Sequence, residues 1–322
     1  MKKEISVGGQ AVIEGVMMRG PDRLATAIRR RNGDIELKLQ PFVSATQKNK
    51  FYALPIVRGF VSLIEMMKIG FSTLTFSAER FELDLRQEAE EKGEKLKEKS
   101  KAAEKREEIF SFIIAFGLAF LLFGLLPYKL SDWLKLSKQD FFFNLFAGSI
   151  RIVFFVIYIW AISLMKDVKR LFCYHGAEHK NVNAYEHNST LQIPDIQSFT
   201  TIHPRCGTSF MFFVLLVGIL FFSITDTLVS QVIIGTTIPV YLRLTYHLIL
   251  IPVISGLSYE VLKFSGRNLK HPLVRFMTIP GMALQRITTQ PPDDSMVETA
   301  LVAMKAALDM DYSDHRVVLL EK

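Results

Sequence analysis

Between residues 110 and 262 polar positions thin out into a few uninterrupted apolar runs, some approaching twenty residues, the length an α-helix needs to cross about 30 Å of hydrocarbon. Residues 110–126, 141–165 and 208–224 each predict one such span. Residues 228–262 form a fourth stretch of 35 residues, too long for one straight crossing at about 1.5 Å per residue. Pro239, Arg243 and Pro252 offer places for it to break, so the pattern predicts four crossings, the last broken or partly re-entrant. The segment at 54–77 is also apolar, but Arg58, Glu65 and Lys68 interrupt it, each costing about 2.5–3.5 kcal/mol at mid-bilayer. Its polar residues gather on one helical side, which predicts an amphipathic helix lying on the membrane surface or against the spans.

Elsewhere the period changes. Residues 23–30 read as a strand, Asn32-Gly33 as a hairpin turn and residues 34–39 as the returning strand. Ahead of them, the run from Gly8 to Pro21 holds glycines that allow close backbone approach but fits neither the dinucleotide nor the phosphate-loop spacing; a tight structural corner is the expectation. Residues 79–108 carry 11 acidic and 9 basic residues, with Glu88 before Lys92 and Glu91 before Lys95 at the favourable spacing of a solvated helix. After the apolar runs, Pro280-Gly281-Met282 and Pro291-Pro292 punctuate a surface segment. Ser295-Met296-Val297-Glu298 then reads as a capping box opening an amphipathic helix to about Leu308, in a tail that docks on the cytoplasmic unit. The expected fold class is a mainly α membrane protein, with about four transmembrane helices, a small N-terminal β-rich unit and cytoplasmic amphipathic helices. Its segments are 1–50 (β-rich), 51–108 (amphipathic and charged helices), 109–263 (bundle, with a loop at 166–207) and 264–322 (cytoplasmic C-terminal segment).

Composition sharpens this. With 322 residues, 49% hydrophobic and 22% charged, and a mean hydropathy of +0.23, the chain is too apolar for an ordinary soluble domain. About half of it is nonetheless polar enough for a sizeable water-facing part. Two cysteines cannot build a disulfide framework. The net charge of +7 is assigned to loops near anionic lipid rather than to nucleic acid. Lys166, Lys169 and Arg170 follow the second run, and Lys263, Arg267, Lys270 and Arg275 follow the fourth. The positive-inside rule therefore puts those ends, and with four crossings both termini, in the cytoplasm. No apolar stretch behind basic residues occupies the first fifteen positions, so no cleavable signal peptide is expected. The partners foreseen are membrane lipid and, as an open alternative, a second copy of the chain.

The candidate chemistry lies in two short strings. In Cys173-Tyr174-His175-Gly176-Ala177-Glu178-His179-Lys180, the order His-x-x-Glu-His is that of inverzincin metal hydrolases, and on a helix Glu178 and His179 fall about 60° and 40° to either side of His175. Two imidazoles could ligate zinc, a third protein ligand could complete the set, and Glu178 could act as general base. Glu186 returns to nearly the same face. The second string, His203-Pro204-Arg205-Cys206-Gly207-Thr208, offers His203 or Cys206 as third ligand and Arg205, with Lys180, as electrostatic stabiliser. A hydrogen-bonded network or a lipid head-group site is the competing reading of the same residues. Within the apolar runs, Arg151, Arg243, His247 and Glu260 read either as a polar path, with Glu260 able to reach the metal cluster, or as helix-packing contacts. Cys173 reads as a small core residue.

These two strings, together with the run from Gly8 to Pro21 and Gln285-Arg286-Ile287-Thr288-Thr289, resemble the YqhQ-like family of bacterial integral membrane proteins over nearly the whole chain. The resemblance implies a multi-pass protein of the bacterial cytoplasmic (inner) membrane. It lends support to His175, Glu178, His179, His203 and Cys206 as the candidate site, under the family's label of predicted metal-dependent enzyme, but supplies no reaction. The leading expectation is metal-assisted hydrolysis of a membrane-associated substrate at the cytoplasmic face. A non-enzymatic scaffold or carrier with a structural metal is the alternative, and a transporter is a third.

Overall fold

A computed structural model describes residues 7–93, 100–134, 141–268 and 271–320. Lys95, Lys135 and Lys270 lie outside the described residues. The chain opens with four strands, β1 (Gly8–Val12), β2 (Gly15–Arg19), β3 (Arg23–Arg29) and β4 (Ile35–Pro41). Among the described residues eleven α-helices follow: α1 (Ala45–Lys48), α2 (Val57–Glu91), α3 (Lys101–Ala119), α4 (Leu126–Trp133), α5 (Phe141–Ser163), α6 (Lys166–Glu186), α7 (Ile193–Gln197), α8 (Gly207–Leu228), α9 (Val240–Arg267), α10 (Pro272–Thr288) and α11 (Asp294–Ala307). The last described element is β5 (Val317–Leu319).

The first four strands form an antiparallel meander, and β5 joins β4 in parallel at the edge. The β3–β4 hairpin forms where Asn32-Gly33 predicts it: Gly33 sits at φ 87°, a backbone region glycine enters without steric cost, and Asn32 Oδ1 accepts the Asp34 N–H at 3.0 Å. The Gly8–Pro21 run departs from the expected corner and is itself a hairpin, β1 against β2. A Cβ on Gly9 would lie 2.2 Å from the Met17 carbonyl oxygen, so the glycine is there for strand approach. Glu14 turns this hairpin at φ 54°, its carboxylate tied to Arg170 and to the Tyr174 hydroxyl of α6.

Alternation sends the two faces of the sheet to different partners. Val16, Met18, Ala25, Ala27, Ile35 and Leu37 pack with Tyr174 and Ala177 of α6 and with Val297, Leu301 and Met304 of α11. Met17 and Leu24, one residue out of phase, meet Ile69 and Met66 of α2. The α11 helix begins earlier than the sequence suggests. Asp293 is the cap, its Oδ1 accepting the Met296 N–H at 2.9 Å. Glu298 does not reach back as a capping-box glutamate because its carboxylate is taken by Arg29 of β3 and by His315 at 2.9 Å.

Burial works against the Glu298 carboxylate, but the Arg29 and His315 hydrogen bonds outweigh it and hold its pKa below the usual range. A depressed folded-state value means stabilisation present above the ordinary carboxylate pKa and lost as pH falls through the depressed one. Melting the detergent-solubilised protein between pH 7 and about pH 3 should therefore show a steeper acid loss for wild type than for Glu298→Gln; parallel curves would contradict this.

Among the described residues five helices are long and apolar enough to cross a membrane, by length and composition: Val57–Glu91, Lys105–Trp133, Phe141–Ser163, Phe210–Ile234 and Tyr241–Gly266. The first, α2, is one continuous helix that also takes in much of the charged segment expected to form a separate one. Its middle packs on the sheet, where Thr73 Oγ1 accepts from Gln10 Nε2 at 2.6 Å and Ser77 Oγ accepts the Ile13 N–H, and Asp84 pairs with Arg30 at 2.7 Å. Its first turns cross α9, where a Cβ on Gly59 would lie 2.7 Å from Gly256 Cα and Arg58 Nε donates to Glu260 at 2.6 Å. Glu260 is thereby committed to Arg58 rather than to the candidate metal ligands.

Three more boundaries differ from expectation. The 35-residue apolar stretch breaks at Gly235, in the left-handed region at φ 71°, after a π-helical extension of α8 (Val229–Ile234); α9 then runs through Pro252 as one helix. The segment around Pro280-Gly281 is helical, with Pro280 inside α10. And residues 166–186 of the expected loop are the helix α6.

Candidate metal centre

The centre is built where α6, the end of α10 and the start of α8 meet. Residues 176–184 of α6 are all buried, so the helix is enclosed on every side and its His-x-x-Glu-His face looks into protein. His175 Nδ1 lies 2.8 Å from the carbonyl oxygen of Thr288, and His179 Nδ1 lies 2.5 Å from that of Thr201. A carbonyl oxygen can only accept, so each Nδ1 carries the proton and each Nε2 presents a lone pair. Histidines that bind metals are oriented in this way. Cys206 caps α8, its Sγ accepting the Thr208 N–H at 3.4 Å, and lies 3.3 Å from His175 Nε2. Among the described residues, one group of His, Cys, Asp or Glu ligand atoms could hold a metal: those of His175, His179 and Cys206, all within 4.8 Å of one another.

These donors fit zinc in type. Bond lengths of about 2.0–2.1 Å to nitrogen and 2.3 Å to sulfur in a tetrahedron put a nitrogen and a sulfur donor roughly 3.5 Å apart; His175 Nε2 and Cys206 Sγ stand 3.3 Å apart, and the three donor atoms all lie within 4.8 Å of one another. Glu178 stands beside the group rather than in it. Its Oε1 accepts the Gly9 N–H at 3.0 Å, and its Oε2 lies 3.5 Å from His179 Nε2. The β1 strand thus fixes one carboxylate oxygen and leaves the other directed at the metal donors.

His203 is placed differently. Its Nδ1 accepts the Arg205 N–H, so the proton sits on Nε2, 3.3 Å from Glu186 Oε2. Its backbone N–H and carbonyl are both engaged by the Gln285 amide, at 2.8 and 2.9 Å. Arg205 pairs with Glu186 as well. Burial raises the cost of charge on Glu186, but the bond from His203 and the nearby Arg205 charge prevail and hold its pKa low. His203, Glu186 and Arg205 therefore form a triad adjoining the three donors, with the His203 ring 5.9 Å from that of His179. Lys180 turns away, its Nζ donating to the Gln197 carbonyl, and burial pushes its pKa down.

A second polar cluster lies at the far end of α8. Asp226, buried, accepts from Tyr246 and from His247 Nε2 at 2.7 Å and faces Arg243 Nε at 3.5 Å. Twenty residues of helix separate it from Cys206, roughly 30 Å at 1.5 Å per residue. Arg151 donates instead to the Phe123 carbonyl at 2.9 Å, in the π-helical turn Phe120–Leu125 between α3 and α4. The sequence pattern points to Arg243 and His247 but not to Asp226; the signal was available, since an arginine in an apolar helix requires a counter-charge. The roles of Gly9, Thr201 and Thr288 act through backbone atoms and leave no side-chain signature.

Comparison with known proteins places the chain in a family. The family model described as a protein of unknown function, DUF1385, matches residues 54–310, and the chain belongs to that family. It is also 33% identical over 308 residues to the uncharacterized protein YqhQ of Bacillus subtilis (strain 168), covering 94% of this chain and 92% of that one. No solved structure matches.

Proposed function

We propose that the chain is an integral protein of the bacterial inner membrane carrying a divalent-metal site, with zinc the metal its donors favour, and that it hydrolyses a membrane-associated substrate at the cytoplasmic face. The observation that carries this is the convergence of a ligand atom from each of two imidazoles and a cysteine sulfur within 4.8 Å, each imidazole locked by a backbone carbonyl. The membrane part rests on helices that leave Phe112, Phe116, Val232 and Tyr241 largely exposed; such surface is unfavourable in water and suited to lipid. Four of the five apolar helices are crossings on this reading. The fifth, α2, buries its middle on the sheet and stays with the water-facing part, which keeps both termini cytoplasmic.

A divalent ion held by His175, His179 and Cys206 would supply Lewis-acid polarisation. The chain supplies the rest. Glu178, anchored through Oε1 by Gly9, can take and return a proton at Oε2. The His203–Glu186–Arg205 triad holds the segment leading into Cys206, with the Arg205 guanidinium tied to Glu186. A second reading, a scaffold or carrier with a structural metal, is favoured by burial: His179 and Glu178 are 2% and 5% exposed.

Glu178→Gln separates the two. It removes the base while keeping an acceptor for the Gly9 N–H, so hydrolysis should fall about 10²–10⁴-fold with metal retained. Mass spectrometry of membrane extracts should then show the same accumulating species in cells carrying this variant as in cells lacking the chain. Extracts from the variant that match wild type, while the deletion differs, would rule out hydrolysis.

A further inference from the structure

The α10 helix has two faces of opposite kind. Val274, Thr278, Gly281, Gln285 and Thr288, spaced by three or four residues, are buried, where α10 packs on α8 and α5. Leu273, Phe276, Met277 and Ile279 look the other way and are 61%, 71%, 42% and 49% exposed. Three of these four share the i, i+3, i+4 stripe that makes one continuous apolar strip on a helix. Its last turn presents the Thr288 carbonyl to His175, and Gln285 holds His203. The exposed strip therefore belongs to the very helix that shapes the candidate metal centre.

We propose that this outer face of α10 is seated in the lipid leaflet bordering the centre, so that the helix is interfacial rather than solvated. Its occupant is argued from continuity and charge. The helices beneath it, α5 and α8, are two of the apolar helices, and the end of α5 nearest α6 exposes Trp160, and just beyond it Leu164 and Met165, an aromatic residue and apolar neighbours of the kind that mark a membrane boundary. At the start of α10 stand exposed His271 and Arg275, and no described carboxylate pairs with Arg275. An apolar strip with an unpaired cation at its end is the pattern of a helix lying among acyl chains with its basic residue at the phosphates. A strip of exposed large apolar side chains is unfavourable in water, and the basic Arg275 at its end suits lipid phosphate. On the hydrolase reading, and resting on it, the seat gives the substrate class: an amphiphile whose polar head reaches the centre along α10 while its chain stays in the leaflet.

The seat is tested independently of any metal. Full-length protein with Phe276→Trp in a Trp133→Phe/Trp160→Phe background is placed in lipid nanodiscs containing phospholipid brominated on its acyl chains. Its fluorescence should be quenched as strongly as that of a Phe112→Trp reporter on α3, while a Val318→Trp reporter on β5 should be unaffected. Since an introduced tryptophan could itself draw the helix into lipid, wild-type protein is labelled in parallel with a photoactivatable acyl-chain lipid, and label should map to residues 273–279. An unquenched Phe276→Trp, or label absent from residues 273–279, would overturn the seat, whether water or a second copy covers the face. Quenching and labelling in protein that binds no metal would leave the seat standing and count against the hydrolase alone.

Discussion

Gly176→Ala is expected to dismantle the candidate metal centre although it adds only a methyl group. A Cβ at this position would lie 2.1 Å from the Gln290 carbonyl oxygen and 3.3 Å from Thr201 Cγ2, and the first of these is backbone that cannot rotate away. The contact is part of the centre's construction: the Gln290 N–H donates to the Phe172 carbonyl at 2.9 Å, two residues from the Thr288 carbonyl that fixes His175. Relieving the clash separates α6 from the end of α10, breaks that hydrogen bond and lets His175 rotate away from Cys206. Overpacking of this kind costs about 1–3 kcal/mol. Metal affinity should fall with the lost orientation, by the 10–100-fold typical when a ligand's supporting hydrogen bond is removed. Gly207→Ala, where a Cβ meets nothing within 4 Å, is the matched control and should melt and bind metal as wild type does. Equal behaviour of the two variants in thermal melting and metal titration would contradict the proposed construction.

Asp226→Ala should cost more stability than any other single change considered. Asp226 is 3% exposed; its carboxylate accepts from Tyr246 and His247 and faces the Arg243 charge at 3.5 Å. Removing one partner of a buried charge group leaves the others uncompensated, at about 3–5 kcal/mol. The cost is not recovered by water if the cluster lies at membrane depth. Replacing Asp226, Arg243 and His247 together by leucine should restore part of the stability lost in the single variant, because the penalty lies in the unpaired charge rather than in the missing bond. Thermal melting in detergent and the amount of protein recovered in the membrane fraction measure both; a single variant as stable as wild type would show that the cluster does not hold α8 and α9 together.

Much of this fold is readable from local chemistry. The β3–β4 hairpin follows from Asn32-Gly33 and strict alternation, and apolar runs mark the long helices. What escapes is set by distant partners. Glu298 looks like a capping residue until Arg29, 269 residues away, claims it. Pro280-Gly281 looks like a stop, yet α10 continues through both, with Gly281 buried on its packed face. The three-residue strand β5 carries too short a pattern to be seen and exists because the edge of β4 accepts it. Of the candidate centre, the donors are visible as His175, His179 and Cys206 because two short strings contain them, while the choice between Cys206 and His203 needs the Glu186 and Gln285 contacts that turn His203 aside. Glu65 shows the same effect: as a charge in an apolar stretch it reads as a cost, but it accepts from Ser44 and the Ala45 N–H and so fixes the short helix α1.

The proposed metal is most directly tested by elemental analysis of the full-length protein, purified in detergent without a histidine-rich tag, beside a His175→Ala/His179→Ala variant shown to be folded by its melting curve. About one zinc or other transition-metal ion per chain in wild type, as one His2Cys donor set would bind, and none in the variant, is the expected result. Wild-type protein that holds no metal even after zinc has been offered, or a variant that retains as much as wild type, would contradict a metal centre at these residues.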